Sequence, residues 1–450
     1  MSPSHESKEP APLQAVAAQD LRLGMYIHLN CSWFLHPFSR QHFRLTSDNQ
    51  IAAIRGLGLS SILLDPSQST AESLDDLCRH APPKDACLVG QATAQEWTES
   101  PQPAGPIPSE ATDDAPSEQD EKLFHSALHL AARTYEEAAR HFKQAIHGLQ
   151  AGSEEGVAAA KLVTNQLAHI LFDKDLAGSI AGLLDSSLMK ERDVLHALNT
   201  SVLAMMIGQQ FGFSVEDIKI LGIGALLHDI GEHQLPDDLR TRRDRLTPEE
   251  ERSYREHPAL GVNLLSPLSS FPQEALRMIE SHHERIDGSG YPNQLQEEYL
   301  SLFTKILMVV DEYDVLINHD NPHQRLTAAD ALSHLYRTAR AKLAPDVIAA
   351  LIQTLTVYPP GTIVELVNGA YALVLNINRR ARMRPLVLLY VPQVDSNAPV
   401  IIDLMRDRSR SIVYRPPVSG VPLRIRQYLN MDRWIPYFLA AADEGRSLPR

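Results

Sequence analysis

The sequence predicts a mainly α protein, in which an all-α helical domain is flanked by two small β-rich modules. Through the middle of the chain, from about residue 119 to 358, apolar residues recur at the 3.6-residue period of helices. The period is clear at Leu195, Leu198, Val202 and Met206. Near both ends, apolar positions instead alternate with polar ones, which is the period of a half-buried strand. Two changes of period therefore divide the chain into three folded parts.

The first module is predicted to span 14–67. Apolar side chains alternate with polar ones at its start, a helix-like stretch runs from Asn49 to Leu57, and Ser61 to Leu64 resembles a short buried strand. These are the elements of a small, mainly β domain.

Residues 68–118 are rich in Ser, Pro and acidic side chains. Such a composition cannot bury enough apolar surface to fold, so a disordered linker is predicted. The stretch 119–154 follows as a helical connector. Either it pairs with a copy of itself in a homodimer or it packs on its own domain, and the sequence leaves both possibilities open.

The helical domain is predicted over 155–357, because Pro359-Pro360-Gly361 ends the helical pattern. Beyond it, Thr362 to Val367 and Tyr371 to Leu375 are apolar runs separated by Asn368-Gly369, a strong signal for a hairpin. Further apolar runs extend this hairpin into a C-terminal β module over 359–440.

The chain has 450 residues and a formal net charge of −14. That charge argues against a protein whose main task is to bind a nucleic-acid polymer, which requires a basic surface.

Cys31, Cys78 and Cys87 are odd in number and indicate reduced thiols. Met1 to Pro12 contains no apolar signal core, and no run is long enough for a membrane helix. A cytoplasmic protein is therefore expected.

The most informative stretch is HHERIDGSGYP, from His282 to Pro292. Imidazole is a common ligand of transition metals. The glycines permit a sharp turn, which Pro292 then constrains. An adjacent histidine pair alone is more often structural than metal-binding, so the pair needs partners elsewhere in the chain.

Five further side chains supply those partners, and each lies on or next to an apolar helical stretch. Taken singly, each is at least as often a structural residue as a ligand. Seven ligands exceed what one ion requires, and Asp229 can place its two oxygens on different ions, so the set indicates a binuclear centre. A water between two such ions is readily deprotonated to a hydroxide that attacks a phosphate ester. The complete set is His196, His228, Asp229, His257, His282, His283 and Asp311.

These residues resemble the motifs of the HD-GYP family of HD-domain phosphohydrolases, in family order over roughly 155–357. The resemblance implies hydrolysis of cyclic di-GMP to pGpG and then GMP, with His228 and Asp229 as catalytic residues. It also implies two divalent ions, with Fe or Mn favoured. The matching motifs are His228-Asp229-Ile230-Gly231, His257-Pro258 with Gly261, the stretch from His282 to Pro292, and Asp311 with Tyr313-Asp314.

The resemblance also assigns the ligands to the two ions. One ion would be held by His196, His228, Asp229 and Asp311, and the other by Asp229, His257, His282 and His283. The loop Gly290, Tyr291 and Pro292 would shape the substrate pocket and contact partner proteins with a GGDEF fold. Residues 14–67 resemble a small domain that often precedes HD-GYP domains, and a role in regulation or in assembly is expected for it.

Three positions depart from the family pattern. Glu232 replaces a frequent Lys, Arg192 occupies the place of an acidic ligand for a third metal with Glu191 one step out of phase, and Asn321 to Gln324 lacks two basic residues. Weakened substrate handling motivates an alternative function, a catalytically weak or inactive receptor or scaffold that binds cyclic di-GMP or partner proteins. Hydrolysis of another nucleotide is a third possibility.

Nearby arginines can compensate for the missing basic residues, because a guanidinium makes two-pronged contacts with phosphate. Arg285 lies beside the predicted ligands, and Arg245 belongs to a basic loop after the first motif. Such a loop is more often a solvated surface, here paired with Glu249 to Glu251. It contains Arg240, Arg242, Arg243 and Arg245.

Overall fold

The structure is a computed structural model of the chain. Contacts divide the chain into two units, Met1–Ala115 and Pro116–Arg450. The residues that the structure describes are 13–29, 38, 41–57, 59, 62–70, 73–74, 118–172, 191–242, 245–319, 321, 323–378, 381–391, 399–430 and 434.

The first unit contains a four-stranded antiparallel sheet with the strand order β1-β4-β2-β3. One helix, α1, precedes its last strand, and a reciprocal capping box between Ser47 and Gln50 begins that helix. This matches the predicted mainly β module. The elements are β1 (Gln14–Val16), β2 (Tyr26–His28), β3 (His42–Arg44), α1 (Asp48–Gly56) and β4 (Ile62–Asp65).

The second unit begins with the helical domain. Its helices are α2 (Glu118–Gln150), α3 (Glu154–Phe172), α4 (Arg192–Gln210), α5 (Val215–Leu226), α6 (Asp237–Thr241), α7 (Pro248–Tyr254), α8 (His257–Leu265), α9 (Gln273–Ser281), α10 (Leu302–Ile317), α11 (Ala328–Arg337) and α12 (Pro345–Leu355).

Helix α4 is the centre of this domain. It contacts α2, α3, α5, α10 and α12. Its middle is buried on every side, as expected of a helix surrounded by others. Two hydroxyls in this middle bond to backbone carbonyls: Thr200 donates to that of Ala225, and Ser201 to that of Gly222. These bonds hold α4 against the end of α5.

The connector, α2, packs on its own domain and forms a hairpin with α3. This is one of the two possibilities that the sequence left open, and a homodimer stays a prediction. The face of α2 in contact with the domain is apolar and buried. It carries Ala131, Tyr135, Ala138, Phe142, Ala145 and Leu149.

The C-terminal part forms a five-stranded antiparallel sheet with the order β8-β7-β6-β5-β9. The hairpin predicted at Asn368-Gly369 joins β5 to β6, where Glu365 pairs with Tyr371 and Gly369 has a φ of 77°. The elements are β5 (Ile363–Leu366), β6 (Tyr371–Asn376), β7 (Leu386–Leu389), β8 (Val400–Asp403), β9 (Ile412–Tyr414) and α13 (Leu423–Tyr428).

The predicted fold class is confirmed: the protein is mainly helical, with small antiparallel sheets toward both ends. Some predictions fall outside the described residues, namely most of the linker, Cys31, Cys78, Cys87 and Arg243. Within the described ranges, no helix combines the length and apolar character needed to cross a bilayer.

Candidate metal centre

The first motif, His228-Asp229, lies on a turn and not inside a helix. The apolar pattern predicts a helical stretch through Ile230, but α5 ends at Leu226 and a 3₁₀ helix, Ile230–Gln234, follows. Gly231, in this 3₁₀ helix, packs tightly against α8, because a Cβ there would lie 1.9 Å from the His257 carbonyl oxygen. Only a glycine permits this approach, which brings the turn against α8 and Asp229 close to His257.

All seven predicted ligands come together in two groups. In each group, one potential ligand atom per residue lies within 4.8 Å of all the others. The residues come from the first turns of α4, the turn after α5, the start of α8, the end of α9 and the middle of α10. The groups are His196, His228 and Asp311, and Asp229, His257, His282 and His283.

In the first group, both histidines turn the same ring nitrogen inward. His196 Nδ1 lies 2.7 Å from a carboxylate oxygen of Asp314, and His228 Nδ1 lies 2.8 Å from the Ala225 carbonyl oxygen. Since these oxygens only accept, each Nδ1 carries the proton. The Nε2 atoms are 3.1 Å apart. In the neutral rings these are two facing lone pairs, which repel unless a cation lies between them.

The acidic neighbours of the first group favour such a cation. Burial lowers the pKa of His196, but hydrogen bonds and charges from Asp311 and Asp314 outweigh it and hold this pKa well above its usual value. Burial raises the pKa of Asp311, yet His196 and His228 hold it well below its usual range. A divalent ion would gain from the same negative charges that bind a proton here.

The second group repeats this arrangement. His257 Nδ1 lies 2.9 Å from the Tyr254 carbonyl oxygen, His282 Nδ1 lies 2.8 Å from that of Ile279, and the two Nε2 atoms are 3.2 Å apart. Burial lowers the pKa of His257 to about 4. This ring is therefore neutral near pH 7, which is the form that binds metals.

His283 contributes an unsatisfied buried atom. Its Nε2 has no hydrogen-bond partner among the described residues, and burial holds the pKa of the ring well below its usual value. The ring stacks on Tyr291, with centroids 4.6 Å apart and an angle of 23° between the planes. A buried ring nitrogen without a partner is costly, and in the tautomer that leaves its lone pair free a metal ion would satisfy it.

Asp229 lies between the two groups. Its Oδ2 is 3.4 Å from His228 Nε2, and its Oδ1 is 3.4 Å from His282 Nε2 and 3.5 Å from His257 Nε2. Burial raises its pKa, but His228, His282 and His257 hold the pKa well below its usual range, so the group is ionised. One carboxylate thus directs one oxygen at each group.

The spacing of these atoms fits metal coordination. Metal–ligand bonds of about 2.1 Å place neighbouring ligand atoms about 3.0–3.4 Å apart, and the Nε2 pairs and Asp229 contacts fall at 3.1–3.5 Å. Together with the inward lone pairs and the unsatisfied His283 nitrogen, this shows a His/Asp cluster that could hold metal.

A buried carboxylate holds the loop that follows the paired histidines. Glu284 is fully buried and accepts from the backbone nitrogens of Asn293 at 2.7 Å and Leu295 at 2.9 Å. The Tyr291 backbone nitrogen donates to the His283 carbonyl oxygen at 3.1 Å. These bonds fix the loop containing Gly290, Tyr291 and Pro292 beside the second group. The sequence motif contains Glu284, but its role became visible only in the folded loop.

Replacing Gly290 with alanine should displace this loop. A Cβ there would lie 2.4 Å from the Arg285 backbone nitrogen and from the Glu284 Cα, so the backbone must move. A displacement of about 1 Å in a positioning element can lower the rate about 10²-fold. We expect a loss of this order in kcat/KM for a phosphodiester substrate. Gly56→Ala is the control, because it adds a Cβ with nothing within 4 Å, and equal activity of the two variants would contradict the role of the loop.

A cavity of about 810 Å³ opens beside the first group. His196, His228 and Asp229 line it, as do Glu232 and Arg240. Its volume is within the range of about 300–1,000 Å³ typical of small-molecule sites. Cationic side chains of α2 and α4 also line it, Lys143 and Arg192, and sequence reasoning had not placed Lys143 in the site.

The two arginines predicted to bind substrate lie elsewhere. Neither Arg285 nor Arg245 is among the described residues that line this cavity. Arg285 pairs with Glu312 at 3.0 Å, and Arg245 is exposed. Arg240 is the member of the predicted basic loop that reaches the cavity, where it donates to His233 at 3.0 Å. Asn321 and Gln324 are likewise absent from the described lining.

Two family models match the chain. Residues 182–347 match an HD domain, and residues 13–160 match DUF3391, a domain of unknown function. The first range contains all seven members of the two groups, and the second contains the whole of α2.

Curated relatives are named as phosphodiesterases. Cyclic di-GMP phosphodiesterase PA4108 of Pseudomonas aeruginosa is 28% identical, over 88% of this chain and 89% of its own length. Cyclic di-GMP phosphodiesterase response regulator RpfG of Xanthomonas campestris is 33% identical, over 34% of this chain and 41% of its own. The 3'3'-cGAMP-specific phosphodiesterase 3 of Vibrio cholerae is 31% identical, over 36% of this chain and 35% of its own length.

Among solved structures, Bd1817, an HDG"Y"P protein from Bdellovibrio bacteriovorus, is 16% identical, with a TM-score of 0.39. The likeness covers 76% of this chain and 98% of that one.

Proposed function

Because this chain is an HD-domain protein of the HD-GYP type with an N-terminal DUF3391 domain, we propose that it is a metal-dependent phosphodiesterase that hydrolyses cyclic di-GMP. The observation that carries the proposal is the pair of histidine groups, each with Nε2 atoms 3.1–3.2 Å apart, joined by the carboxylate of Asp229. The names of relatives such as PA4108, to which most of the chain aligns, support the choice of substrate.

We assign two divalent ions to the centre, with Fe or Mn favoured. Ions held there would stabilise phosphoryl charge as Lewis acids and supply a deprotonated water as the nucleophile. One ion would be held by His196, His228 and Asp311, and the other by His257, His282 and His283. Asp229 would contribute a ligand to both ions. The hydrogen bonds made by Nδ1 of His196, His228, His257 and His282 orient these rings, since such contacts set the tautomer and the direction of the lone pair.

The cavity contains cations that can bind an anionic substrate, although acidic side chains such as Glu191, Asp193 and Glu232 line it as well. The reacting phosphodiester would lie at His228 and Asp229, on its floor, with cationic Arg240 and Arg192 in its walls. Guanidinium groups make two-pronged contacts with phosphate oxygens. We expect hydrolysis to yield pGpG and then GMP. Contact of the Tyr291 loop with GGDEF partners stays a prediction.

The deciding experiment is a turnover assay on protein loaded with Fe²⁺ or Mn²⁺ under anaerobic conditions. Cyclic di-GMP, 3'3'-cGAMP and the small diester bis(p-nitrophenyl) phosphate are offered separately to one preparation of measured metal content. We expect metal-dependent formation of pGpG and GMP, with the highest kcat/KM for cyclic di-GMP. Metal-loaded protein that forms no product from any of these diesters would overturn the proposal in favour of a receptor or scaffold, and a preference for 3'3'-cGAMP would reassign the substrate.

Glu232 provides a prediction about substrate affinity. It is buried in the cavity wall and accepts a hydrogen bond from the Tyr254 hydroxyl. Glu232→Gln keeps an acceptor for Tyr254 but removes a negative charge that opposes an anionic substrate. Because one such charge interaction is worth up to about 1 kcal/mol, we expect the KM for cyclic di-GMP to fall about two- to fivefold.

Glu256→Gln is the matched control, since Glu256 is exposed and absent from the described lining of the cavity. It should leave KM unchanged. If the two variants behave alike in steady-state kinetics, the charge of Glu232 does not act on the substrate.

A further inference from the structure

The end of α2 forms one wall of the cavity at the candidate metal centre. Lys143, Ile146 and His147 of this helix line the cavity, together with Phe142 and Gln150. Their spacing of three, four and seven residues places them along one helical face. The helix lies in the range matched by DUF3391, whereas the cavity floor lies in the HD-domain range. The site is therefore built from both matched ranges.

This wall is held firmly in place. Gly148 and Gly156 let α2 and α3 approach so closely that a Cβ on Gly148 would lie 2.7 Å from the Gly156 Cα. Phe142 and Leu149, on the same part of α2, are buried. Helix α2 also contacts α4, whose first turns carry His196. Side chains on this face consequently have defined positions relative to the centre.

Lys143 is positioned to bind an anion. Its Nζ lies 2.7 and 2.6 Å from the two carboxylate oxygens of Glu191, and both residues line the cavity. Their side chains are 49% and 58% exposed, so the pair contributes at most about 1 kcal/mol. A phosphate with stronger charge can therefore displace Glu191 at little cost.

We propose that this face of α2 is a specificity element, in which Lys143 binds the second phosphate of a cyclic dinucleotide while the first reacts at the metal centre. Glu191 competes for Lys143 when substrate is absent, and Ile146 with His147 contacts the part of the ligand between the phosphates. The inference rests on the proposed phosphodiesterase function. It assigns part of the substrate site to the region matched by DUF3391.

Two variants test this inference in the full-length, metal-loaded protein: one removes the positive charge of Lys143, and the other removes the negative charge of Glu191. Lys143→Gln should raise the KM for cyclic di-GMP at least about tenfold, the lower end of what one lost hydrogen bond to a charged group costs. Glu191→Gln should lower that KM, because it removes the competitor. Loss of a purely structural ion pair would instead affect both variants in the same direction. The effect of Lys143→Gln on bis(p-nitrophenyl) phosphate, which has one phosphate, should be smaller than on cyclic di-GMP.

Arg133→Gln is the control, since Arg133 is an exposed cation on the same helix, ten residues or about 15 Å before Lys143. Calorimetric titration of metal-free protein with cyclic di-GMP gives dissociation constants without turnover, and these should move in the same opposite directions. If the protein hydrolyses cyclic di-GMP but both cavity variants match Arg133→Gln, the inference is overturned. Absence of hydrolysis overturns the proposed function instead, and the titration then decides the role of Lys143.

Discussion

Asp229→Ala should lose bound metal and at least about 10³-fold in kcat, the largest effect we expect of any single substitution. Asp229 directs its two oxygens at two different histidine groups, 3.4 Å from His228 Nε2 and 3.4 Å from His282 Nε2. Metal ions contribute several kcal/mol of transition-state stabilisation, and each 1.36 kcal/mol is a factor of ten in rate. Elemental analysis and cyclic di-GMP turnover on the same preparation measure both losses.

Asp238→Ala is the matched control. Asp238 is exposed and forms an ion pair with Arg242 at 3.6 Å, so its loss should leave metal content and turnover unchanged. Circular dichroism verifies that both variants are folded. A folded Asp229→Ala protein with the full metal content would refute the assignment of this carboxylate to both ions.

Asp314→Asn should weaken metal binding about 10- to 100-fold, although Asp314 is not one of the seven predicted ligands. Its carboxylate is fully buried and accepts from His196 Nδ1 at 2.7 Å, from Asn199 at 2.8 Å and from Asn318 at 2.9 Å. Partners of this kind orient a ligating histidine and raise its basicity, and their loss typically costs 10- to 100-fold in metal affinity or activity. Competition with a chelator of known affinity measures the change.

Weaker metal binding should also lower the turnover of Asp314→Asn. Part of this turnover should return at saturating metal, because His196 itself is retained. Asp346→Asn provides the comparison, since Asp346 is exposed and bonds to the neighbouring Val347 nitrogen. Asp314 would be a purely structural residue if its variant binds metal as tightly as the control does while losing only thermal stability.

Local patterns were enough to predict most elements. The helix expected from Asn49 to Leu57 is α1, Asp48–Gly56, and the hairpin at Asn368-Gly369 joins β5 to β6. Helical period and turn chemistry depend on residues a few positions apart, so they can be read from short windows. The prediction was wrong at Ile230, because α5 already ends at Leu226. In the segment that follows, Gly231 packs against His257, a contact across 26 residues that a short window does not contain.

The sequence by itself determined the chemical character of the centre: its histidine and aspartate motifs, their order, and the helical frame that carries them. Tertiary structure decided which ring nitrogen of His196 faces the centre, because the acceptor for its Nδ1 is Asp314, 118 residues away. It also decided that Lys143 of the connector joins the cavity. Both outcomes depend on packing between helices distant in sequence, which no local period encodes.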